Sequence, residues 1–403
     1  MTRKDGDFEA RSDILVKNPE TDKYDIYEVK ASSKVKPKHL YDLAFQYLVF
    51  AEHFEVGDLY VLHPDKHYVR NGELDLEEFF DARDVTAEVL ELLDEVRLER
   101  ASALKVIAAE SPEGIEHCYK PFKECVCIDL CHPNLPEHSI YEIGHLREPD
   151  KKKLLAKGIV RIEDVPEGFL GDKQDLQVQV VKSGEDFIDR DAISEFLDRL
   201  EFPLYFLDFE ASNPTIPEFD GYSPFKWVTF QYSLHVLQAD GTMSHHEFLE
   251  QEYRDPSCDL MESMRSNIGE VGSVIVWHKS FEVGRIKEMI KFHPKFEDFG
   301  RSLLDRIVDL KEVFSNQMWV SADFRGSASL KAVLPVLVPE MDYSQLEVSN
   351  GTEAMQKWDE LVKGSLASSS SAERETAVKD MLEYCEMDTL AMVKIYDEVR
   401  GVG

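Results

Sequence analysis

Long apolar runs are missing from this sequence. Nowhere in its 403 residues do about eighteen apolar residues follow one another, which argues against a membrane-spanning helix. The opening residues, MTRKDGDFEARSD, lack the apolar core of a secretion signal, so the expected location is the cytoplasm. Positive charge is scarce: 46 Lys and Arg stand against 79 Asp and Glu, a formal net charge of −33. That balance argues against broad coating of nucleic acid or anionic lipid, though it leaves room for local basic contacts. No G-x-x-x-x-G-K-[ST] element occurs, so ATP-driven work is not built into the chain, and no nucleophilic Ser or Cys motif competes for the chemistry.

The chain is 43% hydrophobic and 10% aromatic, ample for sizeable cores, and its length suggests two or three domains at roughly 100–200 residues each. Residues 12–30 read as a hairpin turning through Asn18-Pro19. A helix follows from about Pro37 to His53, then the strand DLYVLH, then a helix from about Asp84 to Ala108. Residues 138–200 are charged and mostly helical. Beyond them come strands at PLYFLDFE, KWVTFQYSLHVL, SHHEFLE and SVIVWH. Helices are expected near 280–293, 327–336, 353–363 and 372–398, and Ser365 to Ser371 reads as a flexible loop. This is an α/β pattern in three segments: 1–135, a helical connecting module at 136–200, and 201–403.

In FLDFE, Asp208 and Glu210 alternate on a strand and so project from one face, where they could share a cation or meet solvent. Glu282 opens a helix after the strand SVIVW. Tyr384 and Asp388 are four apart on a helix and share its face. Four carboxylates so distributed could hold two divalent cations for in-line phosphoryl displacement.

Here the sequence resembles the DnaQ-like DEDD 3′–5′ exonucleases of the ribonuclease-H-like superfamily. Asp208 and Glu210 match the first motif, and Tyr384-Cys385-Glu386-Met387-Asp388 matches the tyrosine form of the third. Phe281-Glu282 stands where the second motif usually ends Phe-Asp. The resemblance implies a mixed sheet with flanking helices, two Mg²⁺ or Mn²⁺ ions on Asp208, Glu210, Glu282 and Asp388, and a water oriented by Tyr384. It also puts His278 where the family often has a small polar residue near the scissile bond. Pro224 to His235, Asp309-Leu310 and Gly326 to Pro335 are similar to a narrower bacterial family that fuses such a domain to a RecB-like nuclease. Ser327 and Lys331 could bind a phosphate, or cap and flank a helix.

Glu28 and Lys30 alternate on a strand whose hairpin partner brings Asp13 near. An Asp and a Glu holding Mg²⁺, with a Lys to stabilise charge on phosphate, would make a minimal hydrolytic site; a solvated strand face is the plainer reading. The order Asp13, Glu28-x-Lys30, then a helix with Gln46 resembles the PD-(D/E)XK restriction-endonuclease-like nucleases of the RecB type. The resemblance implies that Asp13 and Glu28 are metal ligands, that Lys30 is catalytic and that Gln46 contacts the active site. It further implies a [4Fe–4S] cluster on Cys118, Cys125 and Cys131. The fourth cysteine of that pattern would precede Asp13, where none stands; the expectation is therefore an upstream residue beyond Met1, Cys127 as fourth ligand, or no cluster. Zn²⁺ on the four clustered cysteines, or buried thiols without metal, are the alternatives.

His117 and His132 beside the cysteines read as polar loop residues, and His245-His246 as surface with no acid near. Cys258 and Cys385 read as small core or surface residues. Lys151-Lys152-Lys153 with Lys157 and Arg161 could guide a nucleic-acid strand, or form a solvated helix face. The whole reads as a metal-dependent nuclease, expected to be a 3′–5′ exonuclease on single-stranded ends, with DNA favoured over RNA as partner, no membrane, and protein partners unspecified. The rivals are a catalytically silent nucleic-acid-binding or adaptor protein keeping both folds, and a zinc-stapled structural protein.

Overall fold

A computed structural model of the chain describes residues 1–110, 134–341, 343 and 346–403. The fold is mixed α/β, in two compact units: Met1–Ile115 with Asn213–Trp227, and Glu116–Ser212 with Val228–Gly403. Among the described residues no helix is long and apolar enough to cross a membrane.

The first unit opens with a hairpin of β1 (Thr2–Asp5) and β2 (Phe8–Arg11). Four further strands follow: β3 (Ile14–Lys17), β4 (Tyr24–Val29), β5 (Val56–Pro64) and β6 (Phe80–Asp84). They form one sheet in chain order, with β3–β4 and β5–β6 antiparallel and β4–β5 parallel. The β3–β4 turn is set by Asn18, whose side-chain oxygen accepts the Glu20 N–H at 3.0 Å. A parallel step needs a crossover, and α1 (Pro37–Phe50) supplies it. Its Leu43, Ala44, Leu48 and Val49 pack with Ile26, Leu59 and Val61 of the sheet and with Val89 and Val96 of α2 (Thr86–Ile107). Residues 213–227 join this unit through the Arg70 loop: Arg70 N–H donates to the Tyr222 carbonyl at 3.0 Å and Gly72 N–H to Asp220 Oδ1 at 2.7 Å.

The second unit begins with α3 (Glu148–Ala156), α4 (Asp172–Ser183) and α5 (Arg190–Leu197). Lys151 is buried, with its ammonium 6.0 Å from the Tyr141 ring centre, which corrects the solvated-face reading for that residue. Its neighbours are paired with acids, Lys152 with Glu148 at 3.0 Å and Lys153 with Asp150 at 2.9 Å.

A mixed sheet follows, built of β7 (Leu204–Ser212), β8 (Val228–Leu237), β9 (Met243–Leu249), β10 (Val274–Val276) and β11 (Ile307–Asp309). Their order is β9-β8-β7-β10-β11; the first three run antiparallel, and β7–β10 and β10–β11 are parallel. On one face Tyr205, Leu207 and Phe209 pack against Met261 and Met264 of α6 (Ser257–Asn267) and Ile286 and Met289 of α7 (Lys279–Phe292). After α8 (Glu297–Arg306) and β11 come α9 (Leu330–Leu337), α10 (Gly351–Val362) and α11 (Ser371–Val402). The other face packs Phe206 and Ile275 against Val333 and Leu334 of α9 and Met392, Ile395 and Val399 of α11.

The helix α11 starts at a capping box: the Ser370 side chain accepts the Glu373 N–H, and the Glu373 carboxylate accepts the Ser370 N–H at 3.0 Å. The Ser-rich stretch is therefore no loop of the expected kind. Ser365–Ser368 forms a helical turn, and the last serines cap and begin α11, because serine satisfies a helix's free N–H groups.

Candidate metal centre

Strand alternation decides which residues of β7 meet α11. With Tyr205, Leu207 and Phe209 in one core, Phe206, Asp208 and Glu210 face the other way. Asp388 and Tyr384 lie one helical turn apart on α11. One oxygen from each of Asp208, Glu210 and Asp388 lies within 4.8 Å of the other two; Glu210 and Asp388 are buried and Asp208 partly so. Among the described residues none of the three has an ion-pair partner.

Such crowding disfavours ionisation. Burial, then the charges of Asp388, Glu210 and Glu282, push the Asp208 carboxyl well above the ordinary range. Burial and then Asp388 push Glu210 up to about 8, with Lys331 opposing. Asp388 rises to about 6 through burial, held back by a bond from Tyr343, by Lys331 and by a bond from Tyr384. The set is all oxygen and short of positive charge, which suits a hard divalent cation such as Mg²⁺ or Mn²⁺.

Around it stand other groups. Tyr384 is buried, and its hydroxyl is pushed far up, first by burial and then by Asp388. Lys331, from α9, bonds the Ser349 carbonyl; its ammonium lies 4.9 Å from the Tyr343 ring centre and 5.2 Å from that of Tyr384. Cys385 is buried, with its thiol 3.8 Å from Asp208 Oδ2.

Glu282 is 2% exposed in the first turn of α7, and its Oε2 has no hydrogen-bond partner. It stays outside the 4.8 Å group, though its charge acts on Asp208. Burial and then Asp309 lift it to about 8, opposed by Arg285. His278 is exposed at the N-cap of the same helix, with Nε2 3.1 Å from Ser280 Oγ. The Ser327 hydroxyl serves a local turn, donating to Ser329 Oγ at 3.1 Å, so Lys331 alone of that pair is brought to the carboxylates.

In the first unit, Glu28 is buried between Lys30 Nζ at 2.6 Å and Gln46 Nε2 at 2.6 Å. Burial raises its carboxyl, and the bonds from Lys30 and Gln46 oppose that rise. Asp42, one turn before Gln46 on α1, bonds Lys30 as well. Asp13 is exposed, and its Oδ2 accepts the N–H of Val29, the residue between Glu28 and Lys30, at 2.9 Å.

Two participants went unmarked in the sequence. Asp42 carried a readable signal, its spacing of four from Gln46 on a helix; Tyr343 belongs to no motif and no regular element. Cys118, Cys125, Cys127 and Cys131, with His117 and His132, lie outside the described residues.

Residues 205–329 match a family described as "Domain of unknown function (DUF2779)". The match spans Asp208, Glu210 and Glu282 and stops short of Lys331, Tyr384 and Asp388. The chain is also similar to "Uncharacterized protein UU173" of Ureaplasma parvum serovar 3, at 26% identity over 217 residues, 49% of this chain. It spans about a third of that relative's length, 31%. No solved structure matches.

Proposed function

We propose that the second unit is a DnaQ-like, metal-dependent nuclease that hydrolyses phosphodiester bonds, acting in the cytoplasm as a 3′–5′ exonuclease on single-stranded DNA. The observation that carries this reading is the buried, cation-poor convergence of Asp208, Glu210 and Asp388 within 4.8 Å. Protein interiors hold unpaired carboxylates together at a steep electrostatic cost, which a divalent cation relieves. Bound ions would supply an activated water and a partner for the leaving oxygen.

The chain's own residues do the rest. Asp208, Glu210 and Asp388 hold the cations, and Glu282, with one oxygen unbonded, is the fourth carboxylate donor. Tyr384 keeps its proton, so it orients water through its hydroxyl and is no general base. Lys331 offers positive charge beside the carboxylates for a substrate phosphate. The mixed sheet and its flanking helices support the ribonuclease-H-like assignment. In the first unit, the hairpin, crossover helix and Glu28–Lys30–Gln46 contacts support a RecB-like PD-(D/E)XK reading. A [4Fe–4S] cluster or Zn²⁺ on Cys118, Cys125, Cys127 and Cys131 is part of the same proposal.

The test is metal-dependent release of nucleotides from a 3′-labelled oligonucleotide by the full chain, against Asp208→Ala and Asp388→Asn. Loss in both variants supports the proposal; equal activity in either overturns it. The position of Glu282 outside the carboxylate group favours one other reading, a silent nucleic-acid binder. That protein would shift the labelled probe on a gel without shortening it.

A further inference from the structure

A second cluster lies on the same sheet, on the strands β8 and β9. His235 on β8 and His245 on β9 are directly opposed in the ladder, their ring centres 4.5 Å apart. Glu386 of α11 completes the group: one ligand atom from each of the three residues lies within 4.8 Å of the others. His245, read from the sequence as surface with no acid nearby, is thus half-buried beside one, with Nδ1 3.8 Å from Glu386 Oε1.

The hydrogen bonds around the rings fix which nitrogens remain available. Thr389 Oγ1 donates to the Glu386 carbonyl at 3.0 Å, which uses its only proton. At its 2.7 Å contact with Ser233 Oγ, the threonine must therefore accept and the serine donate. Thr389 likewise accepts from His235 Nδ1 at 2.8 Å, and Ser233, its own proton spent, accepts from His245 Nε2 at 2.9 Å. The ring nitrogens left without a hydroxyl partner are Nε2 of His235 and Nδ1 of His245.

We infer that His235, His245 and Glu386 form a binding site for a first-row divalent transition ion, zinc foremost. Two imidazoles and a carboxylate, with a fourth position open to water, are a zinc donor set. A metal-ligating imidazole is usually oriented by an acceptor for its other ring N–H, and the hydroxyls of Thr389 and Ser233 fill that place here. Tetrahedral ligands about 2.1 Å from zinc stand about 3.4 Å from one another, so the 3.8 Å between His245 and Glu386 needs little closure. Access is provided, because the Glu386 side chain is 43% exposed and lines an open groove with Glu247, Arg374, Lys379 and Glu383. The ion would tie β8 and β9 to α11. The inference does not depend on the proposed hydrolysis.

The experiment is Zn²⁺ and Co²⁺ titration of the full chain, with excess Mg²⁺ present to occupy the oxygen-donor site, comparing wild type with His245→Ala and Glu386→Gln. Wild type should bind one more Zn²⁺ equivalent than His245→Ala, and Glu386→Gln should bind at least about tenfold more weakly. The Co²⁺ complex lost in the variants should show ligand-field absorption without a thiolate charge-transfer band, which separates this site from the cysteines. Zn²⁺ should raise the Tm of wild type by more than that of His245→Ala. Thr389→Val should keep the stoichiometry with affinity lowered about tenfold. Should His245→Ala lack the native far-UV spectrum, Glu386→Gln decides, since it is isosteric at a half-exposed position. Identical stoichiometry, affinity and Zn²⁺-dependent Tm in wild type and Glu386→Gln overturn the inference.

Discussion

The hydroxyl of Tyr343 is bonded to the carboxylate of Asp388. Burial lifts that carboxyl to about 6, and the tyrosine bond is the first of the contacts holding it down. Tyr343→Phe should therefore move the titration of Asp388 upward. Mn²⁺ binding near pH 6 should weaken by about 2- to 10-fold, with much of the difference recovered by pH 8. Isotherms at the two pH values measure this; parallel curves for the two proteins would remove Tyr343 from the site.

Neutralising one member of the carboxylate group relieves repulsion while destroying a ligand. Asp208→Asn should raise the Tm of the metal-free protein, at roughly 2–4 °C per kcal/mol for a domain of this size. The same variant should lose the stabilisation that Mn²⁺ gives wild type, together with any turnover, by about a hundredfold or more. Melting curves with and without metal read both effects. A metal response equal to that of wild type would contradict the assignment.

The raised carboxyls set a direction for stability against pH. Glu210 and Glu282 rise from 4.5 to about 8 on folding, so between those values the native state holds protons that the unfolded chain has released. Stability of the metal-free protein should fall as pH climbs through that window, by up to about 1.4 kcal/mol per pH unit for each such carboxyl. Denaturant titrations at intervals from pH 5 to 8 test this. Saturating Mg²⁺ should flatten the slope, and Glu210→Gln should lower it without metal.

In the first unit Glu28 is buried, and Lys30 is its bonded cation. Lys30→Met leaves a buried carboxylate without that partner and should cost about 1–3 kcal/mol. Adding Glu28→Gln should restore part of the loss, a coupling that a double-mutant cycle on urea midpoints would detect. Additive losses would mean that the contact contributes no net energy.

Regular elements were legible because periodicity reports which side of an element is covered. The strand PLYFLDFE, the hairpin around Asn18-Pro19 and the helix carrying Tyr384 and Asp388 all stand where their patterns indicated. The short β11 and the β5–β6 pairing were not, since a three-residue IVD segment or a charged FDARD segment carries little strand signal. The β1–β2 hairpin at the very start was missed for the same reason.

Within the site, the acids of β7 and α11 were readable from spacing, whereas their meeting was not. Glu282 shows the limit: its helix and position were foreseen, yet local pattern does not fix the distance from one element to the next. The polar stripe Thr229, Gln231, Ser233 and His235 was the overlooked clue. It alternates along a strand that is buried throughout, so each of these side chains had to find a partner inside; Gln231 finds the Met381 carbonyl at 2.8 Å. Nothing in the local sequence says that a strand will be covered on both sides.

One uninterrupted helix, α11, presents Asp388 to the strand acids and, two positions earlier, Glu386 to the histidines. At about 100° per residue these side chains leave the axis some 200° apart, so the rod serves two neighbours as a cam serves two valves. A single residue inserted between them would swing one bearing about 100° out of phase and leave its companion in place. Indels here, unlike in most long helices, should sever the coordination of the two clusters before they threaten the integrity of the rod.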